Sequence, residues 1–124
     1  MSAKELVSEY YNSGAFRKKE NMEKYLHDEL VLQWHSSKGY LQLEKSDLLT
    51  LAAELDKSYS VSRLDISHMI AEGDAVTVRY THYVNPIENP NEETVLAHFV
   101  VIWEVKDNKF YKGCLLYTSP SPRD

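Results

Sequence analysis

The sequence predicts an α+β domain in which about three N-terminal helices pack on one face of an antiparallel sheet. Three observations carry this reading. Apolar residues recur at helical spacing up to about Lys57, and from about Val61 onward they alternate as in strands joined by turns. Across the turn Ala71-Glu72-Gly73-Asp74 the apolar parity of the two flanking segments also agrees, as it must when two strands share a buried face.

Ser2 and Glu5 have the spacing of a capping box, and Leu6, Val7, Tyr10 and Tyr11 then form an apolar stripe that Gly14 ends. A second helix is expected from about Lys19 to His27, with Met22, Tyr25 and Leu26 facing inward. In the segment LVLQWH, Leu30, Leu32 and Trp34 alternate with Val31, Gln33 and His35, the pattern of a short strand, before the glycine of SSKGY turns the chain. Ser46 is the expected N-cap of a third helix carrying Leu48, Leu49, Leu51, Ala52 and Leu55 and ending near Lys57. Strands are expected at about 61–70, 75–84, 95–105 and from 109 onward.

Register follows from the turns. Placing Gly73 at the left-handed third position of a three-residue loop pairs Ile70 with Asp74 and Ile66 with Val78. Leu64, Ile66, His68 and Ile70 then share the inner face with Val76, Val78, Tyr80 and His82. A symmetric hairpin through NPIENPNEE brings His98 opposite His82 or one pair away, beside Val100. The segment VLAHFVVIWEV is apolar on both faces, and a strand of that kind is covered on both. The helices cover one face, so the other, outer face of the sheet is the expected homodimer interface.

The chain has 124 residues, 43% hydrophobic and 11% aromatic with nine tyrosines, which suits a single domain with its own core. Its net charge of −5 and pI near 5.5 set nucleic acid aside as a partner, because phosphate binding needs clustered Lys and Arg. The run Arg17-Lys18-Lys19 is cut off by Glu20 and reads as a solvated helix start. MSAKELVSEYYNSG has no charged-then-apolar leader and no stretch approaches membrane-spanning length, so a cytoplasmic protein without a membrane partner is expected. Cys114 is the single cysteine, which agrees with a reducing compartment.

Taken in order, the paired tyrosines, the WH before a glycine, the leucine-rich helix, the hairpin IAEGDAVTVRY and the strand HFVVIWEVKDNK resemble the nuclear transport factor 2-like superfamily, in particular its SnoaL-like branch. The matching pieces are Ala71 to Asp74, Val76 to Arg79, and Asp107-Asn108-Lys109, where Asn108 replaces the usual glycine and still suits a left-handed turn. The resemblance covers about residues 3 to 113. It implies a cone-shaped, cystatin-like roll with a pocket between the curved sheet and the helices, and frequently a dimer through the sheet. It does not imply one activity, since the superfamily spans isomerases, dehydratases, epoxide hydrolases, cyclases, transport factors and ligand-binding proteins.

The candidate site gathers His35, Tyr80, His82 and His98 as acid-base residues, with Trp34, Tyr10, Tyr11 and Val100 as ligand contacts. A histidine base beside a tyrosine donor would move a proton next to a carbonyl or hydroxyl and stabilise the developing oxyanion. The inferred inner face holds no carboxylate except Glu104 near a hairpin end, unless a different register admits Asp47, Asp56 or Asp65. Two readings follow: a small-molecule-binding module with a mostly apolar pocket whose polar groups satisfy one another, and a cofactor-independent isomerase, dehydratase or cyclase-type enzyme using His/Tyr catalysis. No cofactor is called for, and His82 with His98 lacks the third ligand a metal site needs.

The last eleven residues, CLLYTSPSPRD, resemble the translation of a transposase adapter used in sequencing libraries. The expected organisation is a single domain over residues 1–113, cut short in its last strand, followed by a non-native tail over 114–124. Leu115, Leu116, Tyr117 and Thr118 favour continuing the strand, and Pro120 and Pro122 favour a disordered end.

Overall fold

A computed structural model describes residues 2–118. Helix α1 (Ala3–Ser13) starts at the capping box: Glu5 N–H donates to Ser2 Oγ at 3.1 Å and Ser2 N–H to Glu5 Oε1 at 2.9 Å. Gly14 ends it at φ 75°, the left-handed conformation that glycine adopts without a Cβ penalty. After a short 3-10 turn (Ala15–Arg17), α2 spans only Lys19–Glu23, because Leu26 already pairs with Phe110 as the start of a strand. Strand β1 (Leu26–Ser36) turns back into β2 (Gly39–Glu44), a strand without a sequence expectation.

Helix α3 (Lys45–Ser58) begins two residues earlier than an N-cap at Ser46 would place it. Glu44 is its N-cap, and Glu44 N–H donates to the Asp47 carboxylate at 2.8 Å. Strands β3 (Tyr59–Glu72), β4 (Ala75–Pro86), β5 (Thr94–Lys106) and β6 (Lys109–Thr118) follow. The six strands lie in the order β2-β1-β6-β5-β4-β3, antiparallel except for the parallel pair β1 and β6. The helices pack on one face of this sheet, giving the α+β fold that the sequence predicts. The β6 extension through Leu115 to Thr118 is present, whereas the expectation for Ser119 to Asp124 lies outside the described residues.

Asp107 and Asn108 have φ of 54° and 62° between the paired Lys106 and Lys109, the two positive dihedrals of a type I′ hairpin. The other turn corrects the expected register. Glu72 pairs with Ala75, so Gly73 (φ 60°) and Asp74 form a two-residue turn, and Ile70 lies opposite Thr77 rather than Asp74. Ser67 is then an extra residue in β3, and beyond this bulge Ile66 pairs with Tyr80 rather than Val78. Between the turn and the bulge the expected faces are exchanged: His68 and Ile70 point outward, Ile70 at 63% exposure, while Met69 packs against the core. Leu64 and Ile66 remain on the inner face.

A second bulge decides the pocket. Tyr83 pairs with Val95 but His82 with Ala97, so Leu96 is an extra residue in β5. From there on Tyr80 faces Phe99, and the inner face of β5 is Ala97, Phe99, Val101 and Trp103. His98, Val100 and Ile102 form its outer face. Inner residues align in rows across the sheet, among them Leu32-Gly113-Trp103-Val76 and Tyr117-Phe99-Tyr80-Ile66. Val7, Leu26, Leu30, Val78, Val101 and Phe110 fill the core between these rows and the helices.

Candidate functional site

A cavity of about 120 Å³ lies between the inner face of the sheet and helices α1 and α3. Period-two alternation presents Trp34, Tyr80, His82, Phe99 and Trp103 to it, and the helical stripe of α1 adds Tyr10 and Tyr11. Leu51, Ala52 and Leu55 of α3 close it from above.

Trp103 donates its indole N–H to the Tyr11 hydroxyl at 2.8 Å, a buried bond. The Tyr80 ring lies beside that of Tyr11, with the two centroids 5.3 Å apart. Burial pushes Tyr10, Tyr11 and Tyr80 up from the ordinary phenol pKa, so all three stay protonated at neutral pH. Phe99 stacks between Tyr80 at 5.1 Å and Tyr117 at 5.5 Å, and Trp34 meets Tyr117 edge-on at 5.4 Å.

His82 is the one buried polar or charged residue among the described residues, at 5% exposure. Its Nε2 is hydrogen-bonded to the Ser62 hydroxyl, and the Phe16 ring stands edge-on to the imidazole at 6.0 Å. Burial lowers its pKa to about 4, because no carboxylate partner offsets the lost hydration of the imidazolium. At neutral pH it is therefore a neutral imidazole and a weak base.

The fold thus brings Tyr10, Tyr11, Trp34, Tyr80 and His82 to one cavity, but not His35, His98 or Val100. His35 neighbours Trp34 in a strand and so faces the other way, against Tyr40 at 4.9 Å. His98 is turned outward by the extra residue Leu96, and its Nδ1 lies 3.1 Å from Thr81 Oγ1 on the outer face. Val100 shares that face in a row with His35, Leu116, Arg79 and His68. Glu104 is exposed, and so are Asp47, Asp56 and Asp65; none of the four lines the cavity. Sequence reasoning passed over Ser62 and left Trp103 out of the candidate site; the parity of Ala97, Phe99, Val101 and Trp103, matched to the apolar face of β4, was the signal available for Trp103. Among the described residues no group of three or more His, Cys, Asp or Glu is placed to hold a metal ion, and no helix is long and apolar enough to cross a membrane.

The backbone is similar to several solved structures. AclR from Streptomyces galilaeus superposes with a TM-score of 0.77 at 16% identity, over 95% of this chain and 79% of that one. The BvnE pinacolase of Penicillium brevicompactum matches at 0.73 and 12% identity, over 90% and 79%. An LEH-like epoxide hydrolase of M. tuberculosis matches at 0.70 and 16%, over 93% and 81%. At these identities the likeness is one of fold. No curated protein matches the chain in sequence. The profile of the SnoaL-like domain does match, over residues 7–112, from the apolar stripe of α1 to the middle of β6, and the chain therefore belongs to the SnoaL-like family.

Proposed function

We propose that this chain binds a small, mostly apolar molecule in the cavity under α1 and α3, and does so as a homodimer joined through the outer face of the sheet. The observation that carries the binding reading is that the imidazole and the Trp103 indole of the cavity are already partnered within the protein. Trp103 engages Tyr11, and Ser62 engages His82, while no histidine-tyrosine pair is set up for proton transfer. The dimer reading is supported by apolar side chains on the outer face, where Ile70, Ile102 and Leu116 are 63%, 41% and 51% exposed.

A second reading is a cofactor-independent isomerase, dehydratase or cyclase-type enzyme in which His82 and Tyr80 act as base and donor. In its favour are their shared cavity and the pinacolase and epoxide hydrolase among the similar folds. Against it is the depressed basicity of His82, which lies well below the operating pH of an efficient general base.

Ligand-induced melting shifts across a small-molecule panel, measured on the wild type, His82→Gln and His98→Gln, test these readings. Binding expects a stabilising ligand for the wild type, retained in His98→Gln. Catalysis expects turnover with a bell-shaped pH profile that His82→Gln abolishes. A panel in which nothing stabilises the wild type removes both.

A further inference from the structure

The walls of the cavity restrict what it holds. Its polar groups are tyrosine hydroxyls, the Trp34 and Trp103 indoles and the His82 imidazole, and no Asp, Glu, Lys or Arg lines it. A charged ligand would give up its hydration there and meet no counter-charge. Size is the second restriction. At about 120 Å³ the cavity is somewhat smaller than one of about 150 Å³ that accommodates benzene.

The third restriction comes from counting protons. Tyr11 and Tyr80 carry one hydroxyl proton each, and the bond from Trp103 brings its own. Among the described residues neither hydroxyl donates to a backbone carbonyl or to a side chain, so an O–H of the pair is left to face the cavity.

We infer that the cavity holds one uncharged molecule of about six to eight non-hydrogen atoms, a ring-sized ketone, ether or alcohol, whose oxygen accepts the spare Tyr11–Tyr80 proton. This rests on reading the cavity as the ligand site.

The test uses the full chain, labelled with nitrogen-15, and five probes: cyclohexanone, methylenecyclohexane, cyclohexylammonium, cyclohexanecarboxylate and a tetracyclic steroid ketone. The Trp103 indole N–H cross-peak, identified by its loss in Trp103→Phe, is the reporter. Cyclohexanone is expected to displace it and to bind about three- to tenfold more tightly than methylenecyclohexane, the worth of one neutral hydrogen bond. The two ions and the steroid are expected not to displace it. Equal affinity of the hydrocarbon, or binding of an ion or the steroid, overturns the inference and leaves the ligand site standing. No displacement by any of the five overturns the ligand site itself. The variants sharpen the count: Tyr80→Phe keeps a free donor on Tyr11 and so keeps the preference for the ketone, whereas Tyr11→Phe/Tyr80→Phe loses it. Should the double variant not fold, the wild-type series and Tyr80→Phe decide alone.

Discussion

The indole N–H of Trp103 and the hydroxyl of Tyr11, 92 residues apart in sequence, form a buried hydrogen bond of 2.8 Å that ties the first helix to the fifth strand. Tyr11→Phe keeps the ring and strands the donor, so it is expected to cost about 1–3 kcal/mol, the penalty for a buried polar group left unsatisfied. Urea denaturation checks this. In a double-mutant cycle with Trp103→Phe, the double variant should lose less than the sum of the singles; additivity would mean the bond contributes nothing.

His82 gives stability a pH dependence. Its folded pKa of about 4 lies below the ordinary histidine value of 6.5, so between these values the unfolded chain binds more protons than the folded one. Stability from this group is present above pH 6.5 and declines as pH falls toward 4, by up to about 3 kcal/mol. Unfolding free energies measured from pH 7.5 to 4 should show the slope in the wild type and a reduced slope in His82→Gln.

Gly113 is needed for a close approach rather than for its dihedral angles. A Cβ there would lie 2.6 Å from Leu32 Cδ1 and 2.7 Å from the Trp103 ring, its neighbours in the same inner row. Trp103 has little room to yield, since it stacks on Phe110 at 4.6 Å. Gly113→Ala should therefore destabilise by about 1–3 kcal/mol through overpacking. A lowered urea midpoint with unchanged slope, together with a shifted Trp103 indole resonance, is the expected signature.

The proposed dimer has a direct test. Ile102→Lys places a charge in the middle of the outer row Gln33-Cys114-Ile102-Thr77-Ile70 without touching the cavity. Sedimentation velocity should show a dimer for the wild type and a monomer for this variant at the same concentration. A wild type that sediments as a monomer at high concentration refutes the interface.

Where the chain's signals are local, the sequence was readable. Ser2 and Glu5 announce the start of α1, Gly14 its end, and Asp107-Asn108 the final hairpin, because each depends on residues within one turn of itself. The class of fold followed from period alone. What resisted was the pairing of strands across longer loops: Ser67 and Leu96 look like ordinary strand residues, and nothing in their chemistry marks them as bulges. Each shifts register by one, which exchanges faces, so Tyr80 and His82 were placed in the cavity while His98 and Val100 were placed on the wrong side. Ser62 escaped notice for a related reason, since a serine in a strand carries no signal until its cross-sheet partner is known.

The extra residue at Leu96 also says something about how such a site can change. Everything from Ala97 onward in β5 owes its orientation to Leu96 staying unpaired, and pairing Leu96 with His82 instead would present His98, Val100 and Ile102 to the interior and turn Phe99, Val101 and Trp103 out. The wall this strand gives the cavity can therefore be exchanged by a slip of one residue in its pairing, with every side chain in the segment kept. Alignments that score substitutions position by position would see near-identity across two proteins whose cavities share almost no wall on that strand.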